Sequence, residues 1–85
     1  MKVQGTQDCI MRGKMGNSKL CPVALALRDA LVGAEVEVYA DNLYFNGHRY
    51  ALSDSIMLFT KTFDDGGEVN PFEIDTETDL IQEVV

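Results

Sequence analysis

Apolar and polar residues alternate along the chain in short blocks, and the period of the alternation changes at glycines and turn residues. Over residues 22–32 the apolar positions recur at the three- and four-residue spacing of a helix, and Pro22 suits its first turn. The expected buried face consists of Val23, Ala26, Leu27, Ala30 and Leu31. After Gly33 the period becomes two, which is typical of a strand with one buried face. The pattern therefore predicts a helix and then a strand over residues 34–40.

The middle of the chain predicts a hairpin followed by a second helix. Residues 43–45 and 48–50 are short candidate strands. The Asn46-Gly47 pair between them favours a type I′ turn, because both residues tolerate positive φ. Ser53 then supplies an N-cap for the second helix, which glycines at 66 and 67 end.

The C-terminal part of the chain predicts one more strand and an acidic tail. Residues 68–76 form this strand, and Pro71 places it at a sheet edge because proline has no N–H to donate. Residues 77–85 are the acidic tail, in which residues 79–85 add a helical turn.

The N-terminal residues 1–20 are expected to be loosely structured, with an extended segment or loose strand over residues 2–11. Together the elements predict an α+β fold. Two helices pack on one face of a small, mostly antiparallel sheet. The element order is (β)-α-β-β-β-α-β, or (β)-α-β-β-α-β if the short middle strands count as one hairpin. With 85 residues the chain has interior for one core, so we expect a single domain over residues 1–85.

Composition narrows the class of protein. The hydrophobic fraction is 46% and the charged fraction 25%, as in folded globular chains. No apolar run approaches the roughly 20 residues that span a bilayer, so a cytoplasmic protein without an export signal or membrane contact is expected. Cys9 and Cys21 are expected to be reduced, since one pair is not a disulfide framework.

Charge is divided unevenly between the two parts of the chain. The formal net charge is -7. Residues 1–33 hold five basic and two acidic residues, a net charge of +3, whereas the chain from residue 34 onward holds two basic and twelve acidic residues, a net charge of -10. This asymmetry predicts an electrostatic dipole that attracts a basic partner to the C-terminal half.

Residues for catalysis and metal binding are sparse. Cys21 begins a predicted helix, where a thiolate is favoured, and His48 is the one imidazole that could act as its base. A zinc site would need Cys9, Cys21, His48 and a carboxylate, which is an uncommon ligand set. The acids after Asp64 also miss the calcium-loop pattern, because the sixth position is valine. We therefore expect no catalytic residues, no metal and no cofactor, with a thiol enzyme as a less favoured alternative.

The acidic residues of the C-terminal half are the candidate partner-binding site. Along a strand, alternate residues project from one face about 6.6 to 6.8 Å apart, close to the phosphate spacing of one DNA strand. Acids in such a row could occupy a groove lined by lysine and arginine, or could only aid solubility. The candidate residues are Asp64, Asp65, Glu68, Glu73, Asp75 and Glu77.

Direct binding of nucleic acid is the second hypothesis. It would use the basic N-terminal loop and helix, where glycines at 13 and 16 let the backbone approach phosphate. The overall negative charge opposes this hypothesis, and the loop matches no phosphate-binding fingerprint. The basic residues concerned are Arg12, Lys14, Lys19 and Arg28.

Four segments of the chain carry a resemblance. Residues 21–28 (CPVALALR), 50–53 (YALS), 63–66 (FDDG) and 69–74 (VNPFEI) resemble small uncharacterised proteins of bacteriophages and mobile elements. The resemblance implies a phage accessory protein, a class that includes anti-CRISPR proteins, and such a protein would act in the cytoplasm of the host cell. Small acidic members of that class often bind the nucleic-acid groove of a host protein. It carries over no catalytic residue.

The sequence thus favours a small non-enzymatic binding protein, phage-encoded, whose acidic face engages or inhibits a basic host protein. A nucleic-acid-binding protein such as a CRISPR–Cas effector would be a suitable partner. The protein would be a monomer, or a homodimer paired through the edge strand at residues 68–76, although the acids of that strand oppose self-pairing.

Overall fold

The computed structural model describes residues 1–82. They form three helices and six strands. In chain order the elements are β1 (Lys2–Gly5), α1 (Gln7–Arg12), α2 (Pro22–Ala30), β2 (Val36–Val38), β3 (Asn42–Phe45), β4 (His48–Leu52), α3 (Asp54–Asp64), β5 (Phe72–Asp75) and β6 (Leu80–Gln82).

The strands form two antiparallel sheets, which confirms the predicted α+β class. The larger sheet has four strands in the order β2-β3-β4-β6, and the smaller sheet pairs β1 with β5. Each neighbouring pair is antiparallel. The predicted element order is incomplete, because it has one sheet instead of two and lacks α1 and β6.

Predictions that rest on local signals are confirmed. Asn46 and Gly47 have φ of 49° and 83°, as a type I′ turn requires, and β3 pairs with β4 across them. The side chain of Ser53 caps α3 by accepting a hydrogen bond from the Ile56 N–H at 3.4 Å. Gly66, with φ of 82°, follows the end of this helix.

The expectation of a loosely structured N-terminal segment is wrong for much of residues 1–20. β1 pairs along its whole length with β5, in a register that sets Val3 opposite Ile74. The Thr6 side chain then caps α1 by accepting from the Cys9 N–H at 3.3 Å. Both elements pack against α2, so the segment belongs to the core.

The C-terminal predictions need two corrections. The strand predicted over residues 68–76 covers Phe72–Asp75 alone, because Pro71 supplies no N–H and residues 76–79 form a turn. In place of the predicted helical turn, Leu80–Gln82 form β6, which pairs with β4 and sets Leu80 opposite Leu52. The acidic tail is therefore partly a strand of the larger sheet, and residues 83–85 lie outside the described range.

The core is centred on α2, which is buried on nearly every side through its first two turns. Residues 22–27 are all buried, including Ala24 and Leu25, which lie off the predicted apolar face. The reason is that α1 and β1 cover the sides of α2 that the larger sheet leaves open. Ala30, predicted to be buried, is exposed where the helix ends. Within residues 1–82, no helix is long and apolar enough to cross a membrane.

Candidate interaction surface

Three of the six candidate acids lie at the C-terminal end of α3. Asp64 is the last residue of the helix and Asp65 is its C-cap. Glu68 follows in the loop, and all three side chains are exposed. We call these three residues the helix-end cluster. The partial negative charge of the helix C-terminus adds to the negative potential of their carboxylates.

The helix-end cluster has little internal compensation for its charge. Lys61 pairs with Asp65 at 3.1 Å, one turn back along the helix. Asp64 Oδ1 accepts a hydrogen bond from the Gly16 backbone N–H at 3.1 Å, which leaves its charge in place. Glu68 has no ion pair or side-chain hydrogen bond with another residue of the described range. Within residues 1–82, one ammonium group, that of Lys61, therefore compensates the three carboxylates of the helix-end cluster.

The other three candidate acids, Glu73, Asp75 and Glu77, form what we call the strand cluster, and they do not form the predicted row. β5 ends at Asp75, and Glu77 lies in the following turn. Asp75 is half-buried, and its carboxylate accepts from the Glu77 N–H at 3.0 Å. The alternating projection of a strand therefore includes only the first two acids.

The strand cluster also contacts positive groups. Glu73 accepts a hydrogen bond from Gln4 Nε2 at 2.7 Å and lies 3.8 Å from the Lys2 ammonium. Glu77 lies 3.9 Å from the Met1 amino group. These contacts link β5 to β1, so the strand cluster serves the smaller sheet.

Asp79 has a structural role that the sequence did not indicate. Its carboxylate accepts from Ser53 Oγ at 2.7 Å and from the Asp75 N–H at 2.8 Å. Its backbone carbonyl also accepts from the Ser53 N–H at 2.8 Å. Asp79 thus joins the start of α3 to the turn after β5. No local signal could have found this role, because the partner is 26 residues away.

The basic N-terminal residues are partly neutralised within the fold. Arg12 Nε donates to Asp8 at 2.7 Å, and Arg12 Nη2 donates to Asp29. These hydrogen bonds, first to Asp29 and then to Asp8, raise the pKa of Arg12. Lys19 lies 3.6 Å from Glu37. Such pairing reduces the positive potential that a phosphate backbone would meet.

Lys14 and Arg28 complete the basic set. The Lys14 side chain is exposed, whereas Arg28 is half-buried on α2. Two guanidinium nitrogens of Arg28 are buried and lack a hydrogen-bond partner within residues 1–82. Within residues 1–82, Lys14 is therefore the one exposed basic residue of the set that forms no ion pair, and a single lysine offers little positive charge to a nucleic acid.

The two cysteines are core residues. Cys21 is 3% exposed and is the N-cap of α2, where its Sγ accepts from the Ala24 N–H at 3.5 Å. Burial raises the pKa of the Cys21 thiol, which opposes the thiolate that a nucleophile requires. Cys9 is also buried, and His48 is exposed at the β3–β4 hairpin. Within residues 1–82, no three metal-binding side chains are grouped.

An open groove lies beside the helix-end cluster. Its first part, about 410 Å³, runs along α3 and is lined by Met57, Leu58 and Asp65 among others. Its second part, about 350 Å³, runs past the loop at residues 16–18 to Tyr39. Ala40 and Asp64 line both parts, so the two adjoin at these residues. The sequence did not indicate this groove, because its walls are far apart in the chain.

The chain was compared with protein-family models, with curated proteins and with solved structures. None of the three comparisons gave a match.

Proposed function

We propose that the protein is a non-enzymatic binding protein that engages a basic protein through its acidic surface. The helix-end cluster is the main contact, and the strand cluster, which is the rest of the candidate set, adds to the negative charge of the protein. The observation that supports this proposal is the unequal compensation of the acids. Within residues 1–82, the three exposed carboxylates at the end of α3 form one ion pair, with Lys61, while Glu73 pairs with Lys2 and Glu77 with the Met1 amino group.

The electrostatics favour such a partner. A net charge of -7 attracts a basic protein at long range, and an exposed cluster gives the approach a direction. Nucleic-acid-binding proteins carry patches or stripes of lysine and arginine, which a cluster of carboxylates would complement. Four segments within residues 21–74 resemble small uncharacterised proteins of bacteriophages and mobile elements. The accessory role that this resemblance implies supports a nucleic-acid-binding host protein, such as a CRISPR–Cas effector, as the partner, and inhibition by occupation of its groove.

The test compares two variants with the same net charge. In the first, Asp64→Asn, Asp65→Asn and Glu68→Gln neutralise the helix-end cluster. In the matched control, Glu35→Gln, Asp41→Asn and Asp54→Asn neutralise three other exposed acids. Each variant loses three negative charges from the wild-type value of -7. The tagged proteins are used to capture partners from a bacterial lysate, and the captured proteins are identified by mass spectrometry.

We expect the wild type and the control to retain the same basic protein and the cluster variant to lose it. Capture should also weaken as salt rises from 50 to 300 mM, because exposed charges are screened within about 10 Å at 0.1 M. Equal capture by the two variants would contradict a role for the helix-end cluster. Capture of acidic proteins alone would contradict the proposal as a whole.

A further inference from the structure

The groove beside the helix-end cluster combines carboxylates with exposed apolar side chains. Leu58 is 66% exposed, and it lines the groove together with half-buried Met57. Met15 is 61% exposed and lies close to Gly66, since a Cβ built on that glycine would be 3.8 Å from the Met15 sulfur. Methionine side chains adapt to partners of different shape. The surface around the acids is therefore amphipathic.

The far end of the groove is formed by an aromatic residue in a fixed position. The Tyr39 hydroxyl donates to Glu37 at 2.9 Å, and its ring meets that of Tyr44 edge to face at 5.9 Å. A tyrosine ring that is held in place can accept a cation over its face without first being ordered. Tyr39 is 42% exposed, so the ring is accessible.

We infer that this groove binds an extended segment of the partner in which apolar side chains alternate with lysine or arginine. The inference rests on the proposed function and specifies the chemistry of its partner. The apolar side chains would pack on Leu58 and Met57, and the basic ones would pair with Asp64 and Asp65. Charge complementarity selects this occupant, because two carboxylates line the groove and Lys61 is the one lysine or arginine among its lining residues.

Other occupants fit the groove less well. A second copy of this chain would bring a net charge of -7 against an acidic surface. A free metal ion or polyamine would leave Leu58 exposed to water. Only a segment that is both basic and apolar satisfies both kinds of lining residue.

The test uses two capped octapeptides of equal charge as probes, GKLRLKLG and GKARAKAG, in which leucine or alanine alternates with lysine or arginine. Each is titrated into the isotope-labelled protein, and affinity and contact sites are read from amide shifts. We expect the leucine peptide to bind about tenfold more tightly, because burying the larger side chains contributes about 1.4 kcal/mol or more. The shifts should centre on residues 39–40 and 57–65.

A variant pair shows whether Leu58 is the apolar contact. Leu58→Ala should reduce the preference for the leucine peptide to about twofold or less, because the two changes remove the same contact. The matched control is Val32→Ala, which alters a residue that is 95% exposed and outside the groove, and it should leave the preference unchanged.

Failure of this inference differs from failure of the proposed function. If both peptides bind equally and the helix-end variant abolishes their binding, the acidic surface acts alone and the groove inference is wrong. If neither peptide binds, or if the helix-end variant binds both as the wild type does, the proposed function is contradicted as well. Shifts centred on the strand cluster would also overturn the groove inference.

Discussion

The helix-end cluster and the strand cluster have similar composition but different environments. Glu73 is engaged by Lys2 and Gln4 of β1, Glu77 by the Met1 amino group and Asp75 by the Glu77 N–H, so all three carboxylates have partners within the fold. Asp64, Asp65 and Glu68 project from the end of a helix with one lysine nearby. Net charge is therefore a poor guide to the charge that a partner meets, because ion pairs and hydrogen bonds within the fold already engage some of the acidic residues.

Asp79→Ala tests whether this acid, which lies next to the strand cluster, stabilises the fold. Asp79→Ala removes the acceptor of Ser53 Oγ and of the Asp75 N–H, which are joined by no other side chain in the described range. Hydrogen bonds to a charged group contribute about 1.5 to 3 kcal/mol each. We expect the free energy of unfolding, measured by urea titration, to fall by about 3 kcal/mol. A fall below about 1 kcal/mol would show that Asp79 is dispensable.

Gly5→Ala should weaken the smaller sheet while it leaves every acidic residue unchanged. A Cβ built on Gly5 would lie 2.2 to 2.4 Å from the ring of Phe72, which packs on Phe59 with a centroid separation of 4.2 Å. Because the ring would have to shift, Gly5→Ala should destabilise the protein by about 1 to 3 kcal/mol. As a control, Gly5→Ala made in a Phe72→Leu background should cost less stability, because the ring atoms that the added Cβ would meet are absent there.

The third prediction compares the two clusters directly. Glu73→Ala removes an ion pair and a hydrogen bond to β1, whereas Glu68→Ala removes no contact seen within residues 1–82. Exposed pairs contribute about 0.2 to 1 kcal/mol. Thermal unfolding should therefore show a loss of about 0.5 kcal/mol for the first variant and no measurable loss for the second. A larger loss of stability for Glu68→Ala than for Glu73→Ala would contradict the distinction between the two clusters.

Asp64→Asn, at the C-terminal end of α3, should change the stability only slightly. An acid at a helix C-terminus is unfavourable, and Asp64→Asn removes the charge while keeping an oxygen that can accept from the Gly16 N–H. We expect the variant to be more stable by about 0.3 kcal/mol, as judged by urea unfolding at low salt. High salt should remove the gain. A loss of stability would indicate that the carboxylate charge itself holds the loop at Gly16.

Sequence reasoning was successful where the signal and its consequence are close in the chain. The Asn46-Gly47 turn and the Ser53 cap depend on neighbours within a few residues, and both were predicted. β1 and β6 were not predicted as the structure has them, because a strand of three or four residues carries little periodicity. Their pairing partners are also distant, as Val3 opposite Ile74 shows.

The same distinction explains what could be predicted of the candidate surface. Acidic residues and their number can be read from the sequence, but their compensation depends on which cations the fold brings near. Lys61 and Asp65 are four residues apart on one helix, so their pairing is a local matter. Lys2 reaches Glu73 only because β1 pairs with β5, and the groove exists only because residues 16–18 and 39–40 meet α3.

The pairing of β1 with β5 has a consequence for how the chain folds as it is synthesised. The first strand leaves the ribosome about 70 residues before its partner, and during that interval Val3 lacks the residue it packs beside. Contacts this far apart in sequence also slow folding, because a large loop must close before they form. The smaller sheet therefore cannot be complete before residue 75 has emerged, nor the larger sheet before residue 82. Nascent chains stopped before residue 72 should be more susceptible to proteases than the finished protein.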